Sequence, residues 1–378
     1  LNMSESAVLE TVEGLNQAPT HIVCGRDEVL QWKDKLSALS RRYGQDGAVG
    51  QLEYYLARPA FARKRPTLLL TFREGRGHAT GELASAVLVY EHQLMKFGCR
   101  IFSADFHWSA RTVIAPDGER ARVALAAADA LFRRGAILIQ MSYAGAEPPT
   151  DAEGLRPARG MFRARWASKV RQMIGYLPIE PTVDATLANL GKMTRRNLRR
   201  YRKRAEAELG HVLIDRPQLT REEFFAFNAI SSYPAPAQQV EWRYHGIKRM
   251  PSGSLFLGLK AANGDWLSFI GGRSYDGITH IEWQMNRADM PSYSLSTLMR
   301  AHLIEYEVER GTRRIYFIGG TSHSMRNAIA TFPIVDITIA RWAIPRWLLR
   351  RIAPAKAEPT QFVGQMLFDE ELAWYVWE

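Results

Sequence analysis

The sequence predicts an α/β protein with mixed α+β sheets, built as two domains that repeat one element order. Three observations predict this. The chain has 378 residues and is 46% hydrophobic, enough for two or three cores and too apolar for wholesale disorder. Apolar, β-branched runs closed by Gly, Asn or Asp turns alternate with amphipathic helical stretches. The order of several strands, a helix and one more strand occurs twice. Gly145–Asp151, with Pro148 and Pro149, separates the two occurrences, because proline donates to neither helix nor ladder. The expected domains are 20–150, 151–345 and a C-terminal extension, 346–378. Tyr233–Ala237 and Ala353–Pro359 are the other connections.

In the N-terminal half, Thr67–Phe72 reads as a strand, and Gly75, Gly77 and Gly81 supply a turn. Residues 82–94 fit helix or strand, and Val87, Val89 and Tyr90 favour strand. Phe97–Asp105 is a further strand, Arg120–Arg134 an alanine-rich helix, and Ala136–Met141 the strand after it.

The C-terminal half begins with a basic helix, 192–209, whose apolar face is Leu198, Tyr201, Ala205 and Leu209 and whose stop is Gly210. A meander follows. Its strands are Ser254–Lys260, Trp266–Ser274 and Thr279–Asn286, joined by Asn263-Gly264 and by Asp276-Gly277. Arg287–Ser294 is irregular. Leu295, Leu298, Met299, His302, Leu303 and Tyr306 then mark a helix, with Gly311 as its stop. Arg314–Ile318 is a closing strand, parallel to its predecessor and ended by Gly319-Gly320.

The formal charge is +11, from 50 Lys plus Arg against 39 Asp plus Glu. Its distribution is uneven. Residues 156–204 hold 14 basic residues and two acids, a net +12, so the other 329 residues sum to −1. A general affinity for polyanions therefore does not follow. Two cysteines, Cys24 and Cys99, exclude a disulfide framework and a Cys-rich zinc site. No HExxH occurs and the nine histidines are scattered, so no metal is expected. Residues 1–15 are acidic without a charged-then-apolar leader pattern, and the expected setting is cytoplasmic.

The third meander strand carries the most chemistry. Period two places His280, Glu282, Gln284 and Asn286 on one face and Ile281, Trp283 and Met285 on the other. This reads either as a half-solvated sheet or as a ligand-lining face with Glu282 as general base. The helix start at Pro291–Leu295 reads either as a Ser292 or Ser294 cap or as a phosphate-binding dipole end. His302 lies on the apolar stripe and reads as a core histidine. Tyr316, His323 and Arg326 flank the end of the closing strand, where ligands sit in such sheets. Residues 341–351 combine Arg and Trp, which suits either an anionic membrane surface or burial.

The segment Ala188-Asn-Leu-Gly-Lys-Met-Thr-Arg-Arg-Asn-Leu-Arg-Arg-Tyr-Arg-Lys-Arg-Ala-Glu-Ala-Glu-Leu-Gly210 resembles the signature helix of GNAT-like acyltransferases of the cellulose-biosynthesis type. The strands and helix from Ser254 to Gly320 resemble a GNAT core, and the first half resembles the degenerate N-terminal GNAT domain of that group and of Fem-type transferases. The resemblance implies acyl transfer from a thioester, acetyl-CoA or another acyl-CoA, to an amine on a small molecule or glycan precursor, as in polysaccharide biosynthesis. It implies that Met285 and Asn286 flank the thioester arm and that Tyr293, Ser294 and Leu295 meet the phosphates. Glu282 would be the base, Tyr316 the proton donor and His323 a further catalytic candidate. Arg195, Arg196, Asn197 and Arg326 would hold substrate or phosphate. One feature departs from the family: Arg287–Ser294 lacks the glycines of the usual CoA loop. Acyl carrier protein and aminoacyl-tRNA therefore stay open as donors, as does a non-catalytic RNA-binding relative.

Overall fold

The computed structural model describes residues 10–14, 17–45, 52, 56, 64–73, 81–94, 99–103, 113–145, 164–172, 176–249, 253–317, 330, 333–341 and 375–377. In chain order the elements begin with β1 (Glu10–Gly14), β2 (Gln17–Cys24), α1 (Arg26–Leu30), α2 (Lys33–Arg42), β3 (Arg65–Arg73) and β4 (Glu82–Leu94). Next come β5 (Cys99–Ser103), β6 (Val113–Ile114), α3 (Arg120–Arg133), β7 (Ala136–Ala144), β8 (Ala164–Gln172) and β9 (Tyr176–Pro178). Then follow α4 (Val183–Ala188), α5 (Lys192–Leu209), β10 (Val212–Asp215), α6 (Arg221–Ala229), α7 (Ala237–Arg249), β11 (Ser254–Lys260) and β12 (Trp266–Tyr275). The last are β13 (Ile278–Asn286), α8 (Leu295–Glu309), β14 (Arg314–Phe317), β15 (Pro333–Arg341) and β16 (Tyr375–Trp377).

Contacts divide the chain into Leu1–Met173 with Phe332–Glu378, and Ile174–Thr331. These bounds differ from 150 and 345 for a physical reason. β15 ladders antiparallel onto β7 on one edge and onto β8 on the other, so both late segments are strands of the first sheet. The second unit is thus inserted between β8 and β15. The alternation Ile334-Val335-x-Ile337-x-Ile339 was a readable signal for β15.

The first sheet runs β1-β2-β3-β4-β5-β7-β15-β8-β16, with β6 on β4, and only β5–β7 is a parallel pair. The small side chains Ala124, Ala127 and Ala128 bring α3 close to Val87, Val89, Phe102, Ile139 and Ile337. The second sheet runs β10-β11-β12-β13-β14-β9, and only β13–β14 is parallel. Both units therefore share an antiparallel trio, a helix and a parallel strand: β3-β4-β5-α3-β7 and β11-β12-β13-α8-β14. This is the tandem GNAT-like arrangement. The first copy is the degenerate one, with β15, β8 and β16 added beyond β7.

The second unit has three layers. Leu255, Leu257, Leu259 and Ile270 meet Leu198 and Ala205 of α5 and Leu298, Met299 and Leu303 of α8 on one face. On the other face, Phe256, Phe269, Trp283 and Met285 meet Phe224 and Phe227 of α6 and Val240 of α7. Local chemistry fixes the element ends. Gly210 is left-handed at φ 53° after α5. Asp276 and Gly277, at φ 45° and 72°, form the two-residue turn between β12 and β13. Thr220 accepts from Glu223 N at 3.1 Å while Glu223 Oε2 accepts from Thr220 N at 2.7 Å, a capping box on α6. Among the described residues, no helix is long and apolar enough to cross a membrane.

Candidate functional site

The structure corrects the period-two reading of β13. Gly271 pairs with Trp283 and Gly272 with Ile281, so Glu282 is the extra residue of a β-bulge. Alternation resets across it. Ile281 packs on the α8 side, whereas Trp283 and Met285 pack on the α6–α7 side. Hence His280 and Gln284 do not share a face. The Gly271-Gly272 pair permits the bulge. A Cβ on Gly271 would lie 2.0 Å from Trp283 Cζ2, and one on Gly272 would lie 1.8 Å from the His280 carbonyl oxygen. Glycine within a strand was the available sequence signal.

Glu282 forms an ion pair with Arg273, its side chain 12% exposed and that of Arg273 6%. Here the carboxylate is committed to a guanidinium. A second one, Arg243 of α7, acts on Glu282 by charge and lies over the Trp283 ring, 5.7 Å from its centroid.

Cross-strand pairing assembles the neighbouring groups. His280 lies opposite Arg273 on β12 and opposite Tyr316 on β14. The His280 and Tyr316 rings stack at 4.7 Å and 10°, and Tyr275 Oη is 3.2 Å from His280 Nε2. Tyr176 of β9 closes on Tyr316 at 5.4 Å. His280 and Tyr316 are both buried.

Among the described residues, β13 and β14 pair from Ile278/Arg314 to Ile281/Phe317. Beyond Gln284 and Met285, Asn286 accepts from Ser232 N at 2.8 Å and Ala288 N donates to Ile230 at 3.1 Å. Between these two pairings, no strand among the described residues covers the outer edge of β13. Arg287 N donates to Leu267 of the β12 side, so alternation turns the amide of Met285 towards β12 and that of Gln284 away from it.

The start of α8 has no side-chain cap among the described residues. Thr182 and Thr220 cap α4 and α6, but Ser294, left-handed at φ 46°, makes no capping bond, and its hydroxyl is 2.9 Å from Thr297 Oγ1. This corrects the serine-cap reading and leaves first-turn N–H groups without a side-chain acceptor. The loop before it is tied to α5. Arg204 donates to the Ser292 carbonyl at 3.2 Å and lies over the Tyr293 ring, while Tyr293 Oη donates to Glu208 at 2.8 Å. That bond raises the Tyr293 phenol pKa. Leu295 is buried, and Asn286 Oδ1 accepts from Ser268 and Gln284.

The other expected residues are not gathered here. Arg195, which donates to the Ala188 carbonyl at 3.3 Å, Arg196 and Asn197 lie on the first turns of α5. Arg195 is about 13 Å along the axis from Arg204. His323, Arg326 and residues 342–351 lie outside the described residues, as do Gly75, Gly77 and Gly319-Gly320. His302 is buried, its Nε2 2.7 Å from His211 Nε2. Burial and its charged neighbours lower its pKa to about 4. No group of three or more His, Cys, Asp or Glu able to hold a metal occurs among the described residues. Sequence reading missed Arg243, Arg273 and Tyr275. Arg273 and Tyr275 stand on a strand that was recognised, but α7 left no signal that distinguishes Arg243.

No protein-family model and no curated protein matches the sequence. Solved structures do match in fold. FemX aligns with a TM-score of 0.51 at 10% identity, covering 73% of this chain and 89% of its own. L-PGS from Bacillus licheniformis aligns at 0.42 and 11% identity over 80% of this chain and 90% of its own. A tandem GNAT protein from the clavulanic acid biosynthesis pathway aligns at 0.43 and 14% identity over 86% of this chain and 99% of its own. The likeness to FemX extends over most of both chains, and what it establishes is a GNAT-like fold.

Proposed function

We propose that the chain is an N-acyltransferase that moves an acyl group from a thioester donor to an amine. The observation that carries this is the buried, stacked His280–Tyr316 pair where β13 and β14 run parallel, on the strand whose Gln284 amide points away from β12. A donor with an amide-bearing arm, acyl-CoA or acyl carrier protein, suits that amide, and the uncapped start of α8 suits its phosphate. In the reaction the amine nitrogen bonds to the acyl carbon and the carbon–sulfur bond breaks. The Gln284 N–H steadies the carbonyl oxygen as charge develops on it. Glu282 takes the amine proton at the expense of its Arg273 pair, and Tyr316 gives a proton to the leaving thiolate. The acceptor class suggested by the cellulose-biosynthesis type is an envelope or exopolysaccharide precursor. Thiol release from acetyl-CoA and longer acyl-CoA with amine panels tests the reading. Tyr316→Phe and Glu282→Gln are each expected to lower kcat at least tenfold. Absence of both acyl-CoA binding and acyl carrier protein binding would refute it.

One observation favours a second reading, aminoacyl transfer from tRNA or RNA binding without catalysis. Lys192, Arg196, Arg200 and Lys203 share the face of α5 opposite Leu198 and Ala205, are exposed, and make no ion pair among the described residues. Arg202 and Arg204, by contrast, are tied to Glu206, Glu305 and Glu208. The free stripe is about 16 Å long. RNA bound there through four phosphates would weaken with salt at a log–log slope of about −3. Salt-insensitive or absent RNA binding discards this reading.

A further inference from the structure

We propose that the amine acceptor carries an acid group, a carboxylate or a phosphate, and that Arg243 binds it. The inference rests on the acyltransfer reading and adds the chemical class of the acceptor.

Arg243 is half-buried, and its Nε is fully buried without a hydrogen-bond partner among the described residues. Its charge rests on the Trp283 ring, a contact that uses none of the N–H donors. The nearby acids are already engaged. Glu282 is bonded to Arg273, and Glu241, the one acid on α7, accepts from Arg221 at 2.6 Å and lies 2.8 Å from His245 Nε2. Two guanidiniums thus face one carboxylate at the bulge. Burying a charge without a counter-charge is costly, so such a group is better explained by a partner that arrives with the ligand. Burial pushes the Arg243 pKa down and Glu282 holds it up, which fits a cation short of compensation. The position also fits. Trp283 directly follows Glu282 and precedes Gln284, so an acid bound at Arg243 places the rest of the acceptor by Glu282 and the outward amide of Gln284. A guanidinium accepts carboxylate and phosphate alike in a two-pronged geometry.

The test uses matched amines on the full chain: β-alanine against propylamine, and O-phosphoethanolamine against ethanolamine, titrated by calorimetry with and without acetyl-CoA. At least one anionic member is expected to bind ten times more tightly than its neutral mate, and the arm in which it does distinguishes carboxylate from phosphate. Arg243→Met should erase the difference, and Arg243→Lys, which keeps the charge, should retain part of it. Equal binding within both pairs, no binding by any of the four, or discrimination that survives Arg243→Met overturns the proposal. Product masses measured alongside separate the two ideas. An anionic amine that binds through Arg243 and is never acylated keeps Arg243 as an acid-binding group and removes acyl transfer, and with it the assignment of that amine as acceptor. Acylation without preference for the anionic amines does the reverse.

Discussion

The His211–His302 contact makes the second unit sensitive to acid in a way that can be calculated. His302 of α8 is buried, and the groups facing it are His211, Arg202, Glu206 and Glu305, whose Oε2 lies 4.0 Å from His302 Nδ1. Its pKa falls from 6.5 to about 4, first through burial and then through the charges of His211 and Arg202. The unfolded chain therefore takes up this proton before the folded one does. The stabilisation is complete above pH 6.5 and is lost as pH falls towards 4. With those two values the loss at pH 4.5 is on the order of 2 to 3 kcal/mol. His302→Gln keeps a polar side chain against His211 Nε2 and removes the titration. Hydrogen exchange of the buried β11–β13 amides, compared between the two proteins at each pH, reads the difference and cancels the intrinsic pH dependence. Wild type should lose on the order of 2 to 3 kcal/mol of protection relative to the variant between pH 7 and 4.5. The same pH profile in both proteins would refute the reasoning.

Three other outcomes are expected. Gly272→Ala should destabilise the second unit by about 3 kcal/mol in urea unfolding, because the new methyl meets the His280 backbone rather than a side chain that can swing away. Arg300 is pushed to a pKa of about 10 by burial, lies 5.5 Å over Phe317, and has no hydrogen bond or ion pair among the described residues. Arg300→Met should therefore raise the melting temperature, by an increment of about 1 kcal/mol, and a fall would show that the charge has a partner. Thr220→Ala removes the acceptor for Glu223 N and should cost about 1 kcal/mol, while Thr220→Ser should cost far less.

Strong local signals in the sequence gave most of the second unit. The meander, α8 and β14 follow from turn glycines and apolar spacing, and the basic helix ends at Gly210 as its composition requires. Two kinds of information escaped. Pairing between distant segments is not written locally, so nothing in the sequence marks β8 and β15 as strands of the first sheet. A single inserted residue also reverses every later side chain of a strand, which is why alternation misplaced Gln284 and Asn286 relative to His280. Tyr316 was found because it stands in a short, well-bounded strand. Its stacking partner His280 was visible as a residue, but the parallel register that joins them was not.

The insertion of one unit into a strand pair of the other bears on the order of folding. Gln172 pairs with Pro333 across about 160 intervening residues, whereas Tyr176 and Ala330, just inside those limits, pair with each other. If the inserted unit folds first, it holds its own ends together and shortens the effective loop between β8 and β15 to about five residues. On loop-closure entropy this lowers the cost of zipping the two strands by about 3 kcal/mol. Assembly from the inside outwards is thus favoured, and damage to the inserted unit is expected to slow closure of a sheet in which it takes no part.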